Sequence, residues 1–197
     1  VEVKPNIKKL GKFSKNKTKT KLRYHQTNFG GSIHSDGPQL NVPPNYVIMA
    51  CSKQANRGGH SIITYSKKIY DYLNDKKPQV LKVLKNNFFF ERRGFNFSND
   101  NVLKKPIFEK KNNFFRFRYL KEYVQKGHDI KNSKMNYRQV FALNILDNLL
   151  QSKKFQKKYK LGEGDLVIIN NNYLAHGRSS FSLNKFKQRS LIRIWIK

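Results

Sequence analysis

The sequence predicts a mainly β fold with helices packed on its outside. Apolar, β-branched runs recur toward both ends, in "NYVIMAC" at 45–51, "LGEGDLVIINN" at 161–171 and "RSLIRIWIK" at 189–197. Helical patterning is strongest in two stretches, 66–86 and 136–159. There is no regular β-α-β alternation, which argues against a doubly wound sheet. Strands returning from both ends of the chain suggest a sheet sandwich or jelly-roll core.

The elements follow in order. Residues 1–23 are basic and poor in large apolar groups, so they read as a loop or lid segment. "YHQTNFGGSIHSDGP" reads as a strand running into a Gly-Pro turn. "NYVIMAC" is a buried strand, "NRGG" a turn and "HSIITYS" a second strand. Residues 66–86 are helical, with Ser66 at the N-cap and Pro78 opening a second short helix. "NNFFFERRGFNFS" and "NNFFRFRYLKEYV" are aromatic and β-prone, divided by a polar loop over 98–105. The clearest helix spans 136–159, with Phe141, Ala142, Ile145, Leu146 and Leu149 on one side. In the final strand Ser190, Ile192, Ile194 and Ile196 share one face, and Arg189, Leu191, Arg193 and Trp195 the other. No internal repeat is present.

Length and composition bound the function. A chain of 197 residues suits one domain with a real core. No run approaches the ~18 apolar residues of a membrane span, and no apolar leader is seen at the start, which is Val1 rather than methionine. A lone cysteine, Cys51, excludes an internal disulfide framework and suits a reducing cytoplasm. The net charge of +29 is extreme and would favour anionic ligands. Lys, Asn, Ile, Phe and Tyr are abundant together, as AT-rich codon usage would give, and the lysines are scattered. No zinc-finger spacing, RNP-type motif or helix-turn-helix accompanies them.

Chemistry concentrates in "GGSIHSDGPQL". In a strand, residues two apart point to one side with backbones about 7 Å apart, so His34 and Asp36 project together. An imidazole and a carboxylate begin a transition-metal site. "NNNYLAHGRSSF" supplies His176 just after a predicted strand over 165–170. Two histidines and one carboxylate form the facial triad of a non-haem iron site, which leaves positions open for cosubstrate and oxygen. A chelating 2-oxo acid would need a cation for its far carboxylate, and arginine's planar fork suits that. Arg189 and Arg193 share a strand face, about 13 Å apart on ideal spacing, so one fits a cosubstrate and the other an anionic substrate group.

These segments resemble the taurine dioxygenase-like, or clavaminate synthase-like, iron(II)/2-oxoglutarate-dependent oxygenases. The matching stretches are "HSDGP", "PPNYVIMACSKQANRGGHSIITYS", "GDLVIINNNYLAHGRSSF" and "RSLIRIWI", in family order from residue 24 onward. The resemblance implies a double-stranded β-helix core in a single domain over 1–197, with the family's N-terminal part short or missing. It implies that His34, Asp36 and His176 bind Fe(II), that Ser61 stands where the family's threonine contacts 2-oxoglutarate, and that Arg189 pairs with the cosubstrate's distal carboxylate. Arg193 falls where relatives touch substrate. Ser61 keeps the threonine's hydroxyl without its methyl, and His60 replaces an acidic residue. A carboxylate at 36, where related halogenases carry a small residue, favours hydroxylation. The expected reaction converts 2-oxoglutarate and O2 to succinate and CO2 while a small molecule is oxidised. Amino acids and related carboxylates are the expected substrates.

Other residues read more plainly. Arg178 either supports the site or holds substrate. Arg116 and Arg118 line a pocket for an acidic substrate or form a solvated strand edge. Asn170, Asn171 and Asn172 read as turn formers, one of which could orient His176. Trp195 reads as packing, Cys51 as inert core, and His25, His60 and His128 as ordinary surface or loop histidines. Two other readings stand beside the oxygenase. One is a nucleic-acid- or polyanion-binding protein on an inactive jelly roll, supported by the charge. The other is a metal-binding fold without catalysis.

Overall fold

A computed structural model describes residues 1–5, 27–94, 101–183 and 188–197. Of the basic segment 1–23, residues 6–23 lie outside this description, as does His25. Strands β1 (Glu2–Val3), β2 (Tyr46–Lys53) and β3 (Ser61–Thr64) precede helices α1 (Ser66–Lys76) and α2 (Pro78–Leu84). The antiparallel pairs β4 (Asn87–Glu91) with β5 (Val102–Pro106) and β6 (Phe108–Lys111) with β7 (Phe114–Phe117) follow. Helices α3 (Lys121–Ile130) and α4 (Tyr137–Gln151) lead into β8 (Gln156–Tyr159), β9 (Leu166–Asn170), β10 (Ala175–Arg178) and β11 (Ser190–Ile196).

Two antiparallel sheets position the site. The first has the order β1-β11-β2-β9, so both ends of the chain meet in it, with Glu2 opposite Ile192. The second has the order β10-β3-β8. Val47 and Ile169, facing neighbours in the first sheet, share a buried cluster with Ile63 of the second. The larger core lies where the helices and the two smaller strand pairs meet, around Ile69, Leu73, Leu84, Phe88, Phe108 and Leu146. Each such side chain contributes about 1.5–3 kcal/mol by leaving water.

Local chemistry explains most boundaries. Pro78 occupies the first turn of α2, where its missing N–H costs nothing. Asn136 and Gln139 form a reciprocal capping box at the start of α4. Ser66 is the first residue of α1 rather than its cap, and its hydroxyl donates to the Tyr173 carbonyl at 2.6 Å. Gly127 lets α3 lie flush on β4, since a Cβ there would meet the Phe89 carbonyl oxygen at 2.3 Å.

Several expectations shift. The helix predicted over 136–159 stops at Gln151, and Gln156–Tyr159 form β8 against β3. Lysine and glutamine favour helix locally, but the open edge of β3 overrides that preference. The buried stripe of α4 is Ala142, Leu143, Leu146 and Leu150, which leaves Phe141 exposed. Apolar residues nearly surround that helix, so spacing alone could not select the face. Within the loop predicted over 98–105, Val102–Pro106 pair as β5, and "YLKEYV" starts α3 rather than continuing a strand.

Candidate metal centre and active site

His34 and His176 come from opposite ends of the chain and form a single antiparallel bridge. Each N–H donates to the other's carbonyl, at 2.9 and 2.8 Å. Residues paired this way send their side chains out on the same side. The two imidazoles therefore stand together, with centroids 4.7 Å apart and planes tilted by 49°. The other edge of β10 is held by β3, with His176 opposite Ile63. The strand expected around residue 34 amounts to this one bridge, after which the chain turns.

Asp36 brings its carboxylate under both rings. Its Oδ1 lies 3.6 Å from Nε2 of His34 and 3.7 Å from Nε2 of His176. One donor atom from each of the three residues lies within 4.8 Å of the others. These separations are too long for hydrogen bonds. An ion about 2.1 Å from each donor would set the donors roughly 3–3.4 Å apart, so the three would close in from separations of 3.6 to 4.8 Å to hold one. His34 Nδ1 lies 2.9 Å from the Ser32 carbonyl oxygen, so its N–H donates there and Nε2 keeps the lone pair for a metal. Nδ1 of His176 is buried without a hydrogen-bond partner among the described residues, so none of these fixes its tautomer.

The electrostatics suit a cation. Burial pushes the His176 imidazole down to about 3, overcoming the opposite pull of Asp36. It is neutral and able to ligate at any ordinary pH. Burial works against the charge of Asp36, but the adjoining imidazoles of His34 and His176 and the Arg193 guanidinium hold it well below the usual carboxylate range. A charged carboxylate only 4 % exposed, beside two imidazoles, is the donor set expected of a divalent transition metal.

The chain after His34 is clamped by groups that sequence reading missed. Asn171, just past β9, accepts from the Asp36 N–H at 2.8 Å. Its amide donates to the carbonyls of Asp36 at 3.0 Å and Pro44 at 2.9 Å. It thus orients the carboxylate-bearing residue rather than His176. Arg118 neither lines the cavity nor faces solvent. Its buried guanidinium donates to the Pro38 and Leu40 carbonyls, both at 2.6 Å, which fixes the turn after Asp36. Burial pushes it down to about 10, so it keeps its charge. Arg116 donates to Asn172 at 3.2 Å. A run of asparagines and an Arg-aromatic alternation were the only signals for these clamps.

On the proposed cosubstrate side, Ser61 opens β3 and is buried opposite Arg178. Arg189 is buried just before β11, and its Nε donates to Gln54 at 3.1 Å. Gly59, at φ +73°, passes so close that a Cβ would lie 3.1 Å from that Nε. Phe181 packs under both cations, 4.7 Å from Arg178 and 5.7 Å from Arg189. Arg178 also donates to the carbonyls of Thr27 and Phe29, at 3.0 and 2.7 Å. A cavity of about 960 Å³ opens beside His34, lined by Asp36, Arg193, Trp195, Arg178, Lys158 and Glu122 among others. Arg193 Nη1 donates to both Asp36 oxygens, at 3.0 and 3.1 Å. Trp195 is not mere packing, since its indole N–H donates to Asp36 Oδ2 at 2.7 Å. His128 is buried rather than superficial, accepting from the Phe89 N–H at 3.3 Å between α3 and β4. Cys51 is buried, as expected.

Comparison with known proteins points the same way. The family described as "Taurine catabolism dioxygenase TauD, TfdA family" matches residues 3–195. FR-33289 synthase of Streptomyces rubellomurinus is 25% identical over 185 residues, which cover 89% of this chain and 52% of that protein. Human gamma-butyrobetaine dioxygenase is 28% identical over 156 residues, covering 76% of this chain and 40% of the relative. The chain thus spans about half the length of the curated relatives it matches. Among solved structures, asparagine oxygenase with Fe(II), 2S,3S-3-hydroxyasparagine and succinate superposes with a TM-score of 0.70, at 14% identity over 99% of this chain and 55% of that one. The non-haem iron oxygenase OrfP with Fe, succinate and (3S)-hydroxy-L-Arg gives 0.68, at 12% identity over 100% and 55%.

Proposed function

The chain belongs to the taurine catabolism dioxygenase TauD, TfdA family, and on that premise we propose that it is an iron(II)/2-oxoglutarate-dependent oxygenase. Its substrate is a small amino-acid-like or carboxylate molecule, hydroxylated while 2-oxoglutarate becomes succinate and CO2. The observation that carries this reading is the convergence of His34, Asp36 and His176, with donor atoms within 4.8 Å of one another. The reading also takes the two sheets as a double-stranded β-helix core within a single domain, and places the protein in a reducing cytoplasm. Relatives named for asparagine, arginine products and gamma-butyrobetaine support the substrate class.

In this reading His34, Asp36 and His176 hold Fe(II), which supplies the activation of O2 when bound. Arg189, buried and charged, takes the distal carboxylate of 2-oxoglutarate, helped by the Ser61 hydroxyl. Arg193 and Arg178 face the cavity beside the metal ligands and draw in an anionic substrate group. Arg118 and Asn171 keep the Asp36 turn from moving as ligands enter. The cavity walls exclude water from the reacting atoms.

The test is succinate release from 2-oxoglutarate with Fe(II) across a panel of amino acids and simple carboxylates, with His34→Ala as the blank. Substrate-dependent succinate from the native protein alone is the expected result. No turnover, together with steeply salt-dependent nucleic-acid binding that His176→Ala leaves intact, would replace the oxygenase with the polyanion binder.

A further inference from the structure

We propose that Trp195 is a positioning residue that decides which oxygen of Asp36 reaches the metal. This rests on the oxygenase reading above.

The two carboxylate oxygens are not equivalent. Oδ1 faces the imidazoles, 3.6 and 3.7 Å from their Nε2 atoms. Oδ2 receives the Trp195 indole N–H at 2.7 Å. Arg193 cannot discriminate between them, because its Nη1 reaches both at 3.0 and 3.1 Å. Trp195 is the contact that breaks the symmetry.

The chemistry makes that asymmetry useful. A facial triad leaves three positions on the ion, and a 2-oxo acid chelating through two oxygens leaves one for O2. A carboxylate bound through both oxygens would take one of those positions. An indole N–H suits the task because it donates only, cannot ionise and cannot ligate. Trp195 also steadies its neighbour, with the Arg193 guanidinium 5.3 Å from its ring. Both residues stand on the same face of β11, two apart, so one strand sets both contacts. Because Trp195 is the single tryptophan of the chain, its emission reports directly on this site.

Co(II), a spectroscopic stand-in for Fe(II), tests the assignment by calorimetry and visible absorption on the native protein, Trp195→Phe and Trp195→Gln. The expected result is about tenfold or weaker Co(II) binding in the phenylalanine variant. Its ligand-field bands should also change, and a glutamine donor should partly restore them. Native tryptophan emission should be quenched in step with Co(II) loading. A folded Trp195→Phe protein with native affinity and native bands would overturn the proposal while leaving the oxygenase reading in place. Should that variant fail to fold, native Co(II) binding without quenching would overturn it instead. A native protein that binds no Co(II) would remove both.

Discussion

Strand β11 carries two faces with opposite characters. Leu191, Arg193 and Trp195 point inward, where Leu191 joins a buried cluster with Cys51 and Leu161 and the other two reach Asp36. Ile192, Ile194 and Ile196 point outward and are exposed, Ile194 by 52 %. Register extends that outer face across the sheet, from Ile194 to Ile48 to Ile168 and from Ile192 to Ala50 to Leu166. Ile168 and Leu166 are 59 and 58 % exposed. The difference teaches that hydropathy alternation locates the two faces of a strand but does not say which is inside. Here the side carrying Arg193 and Trp195 meets Asp36, although Trp195 stays 39 % exposed, and an apolar surface is left on the other side. Such a surface is the kind that contacts other molecules.

The contrast can be strained from both sides. Removing the buried cation should have the largest effect. Arg189→Met is expected to raise the 2-oxoglutarate concentration needed for half-maximal turnover by roughly 10- to 150-fold, the value of a charge-assisted bond of about 1.5–3 kcal/mol. Co(II) affinity should stay close to native. Equal loss of both would mean that Arg189 props up the fold rather than serving the cosubstrate.

A middling effect is expected at the clamp. Asn171→Ala leaves the Asp36 N–H and the Asp36 and Pro44 carbonyls without their partner, at a cost of about 1–3 kcal/mol in urea unfolding. Co(II) binding should weaken with it, as outer contacts of metal ligands do. Undiminished stability would show that water replaces the amide and that the clamp is weaker than its geometry.

The smallest effect belongs outside. Ile194→Lys should change stability by no more than about 0.5 kcal/mol and leave Co(II) affinity untouched, while lowering the binding of a hydrophobic dye. A large loss of stability would contradict the exposure of that face.

Much of the site was legible in the sequence because its parts are local. His34 and Asp36 stand out by a spacing of two and His176 by its place after an apolar strand, and these three do converge. The alternation expected from Arg189 to Trp195 is interrupted, since Arg189 precedes β11 and the register shifts between Ser190 and Leu191. The mainly β architecture was legible from apolar runs at both ends. Other features depend on what lies across a gap. β8 exists because β3 has a free edge, and no property of "FQKKY" announces that. Asn171, Arg118 and Trp195 matter through partners far away in the chain, so their types suggested turns, a pocket lining and packing. Residue type records a capability, and only the folded neighbourhood selects its use.

The bridge joining His34 to His176 has a consequence for biogenesis. Its two halves stand far apart in sequence, and the earlier imidazole has no such companion until the later one is made. The cradle is thus absent from any nascent chain that has not yet reached residue 176. Completing it requires a contact between residues far apart in sequence, the kind that forms slowly.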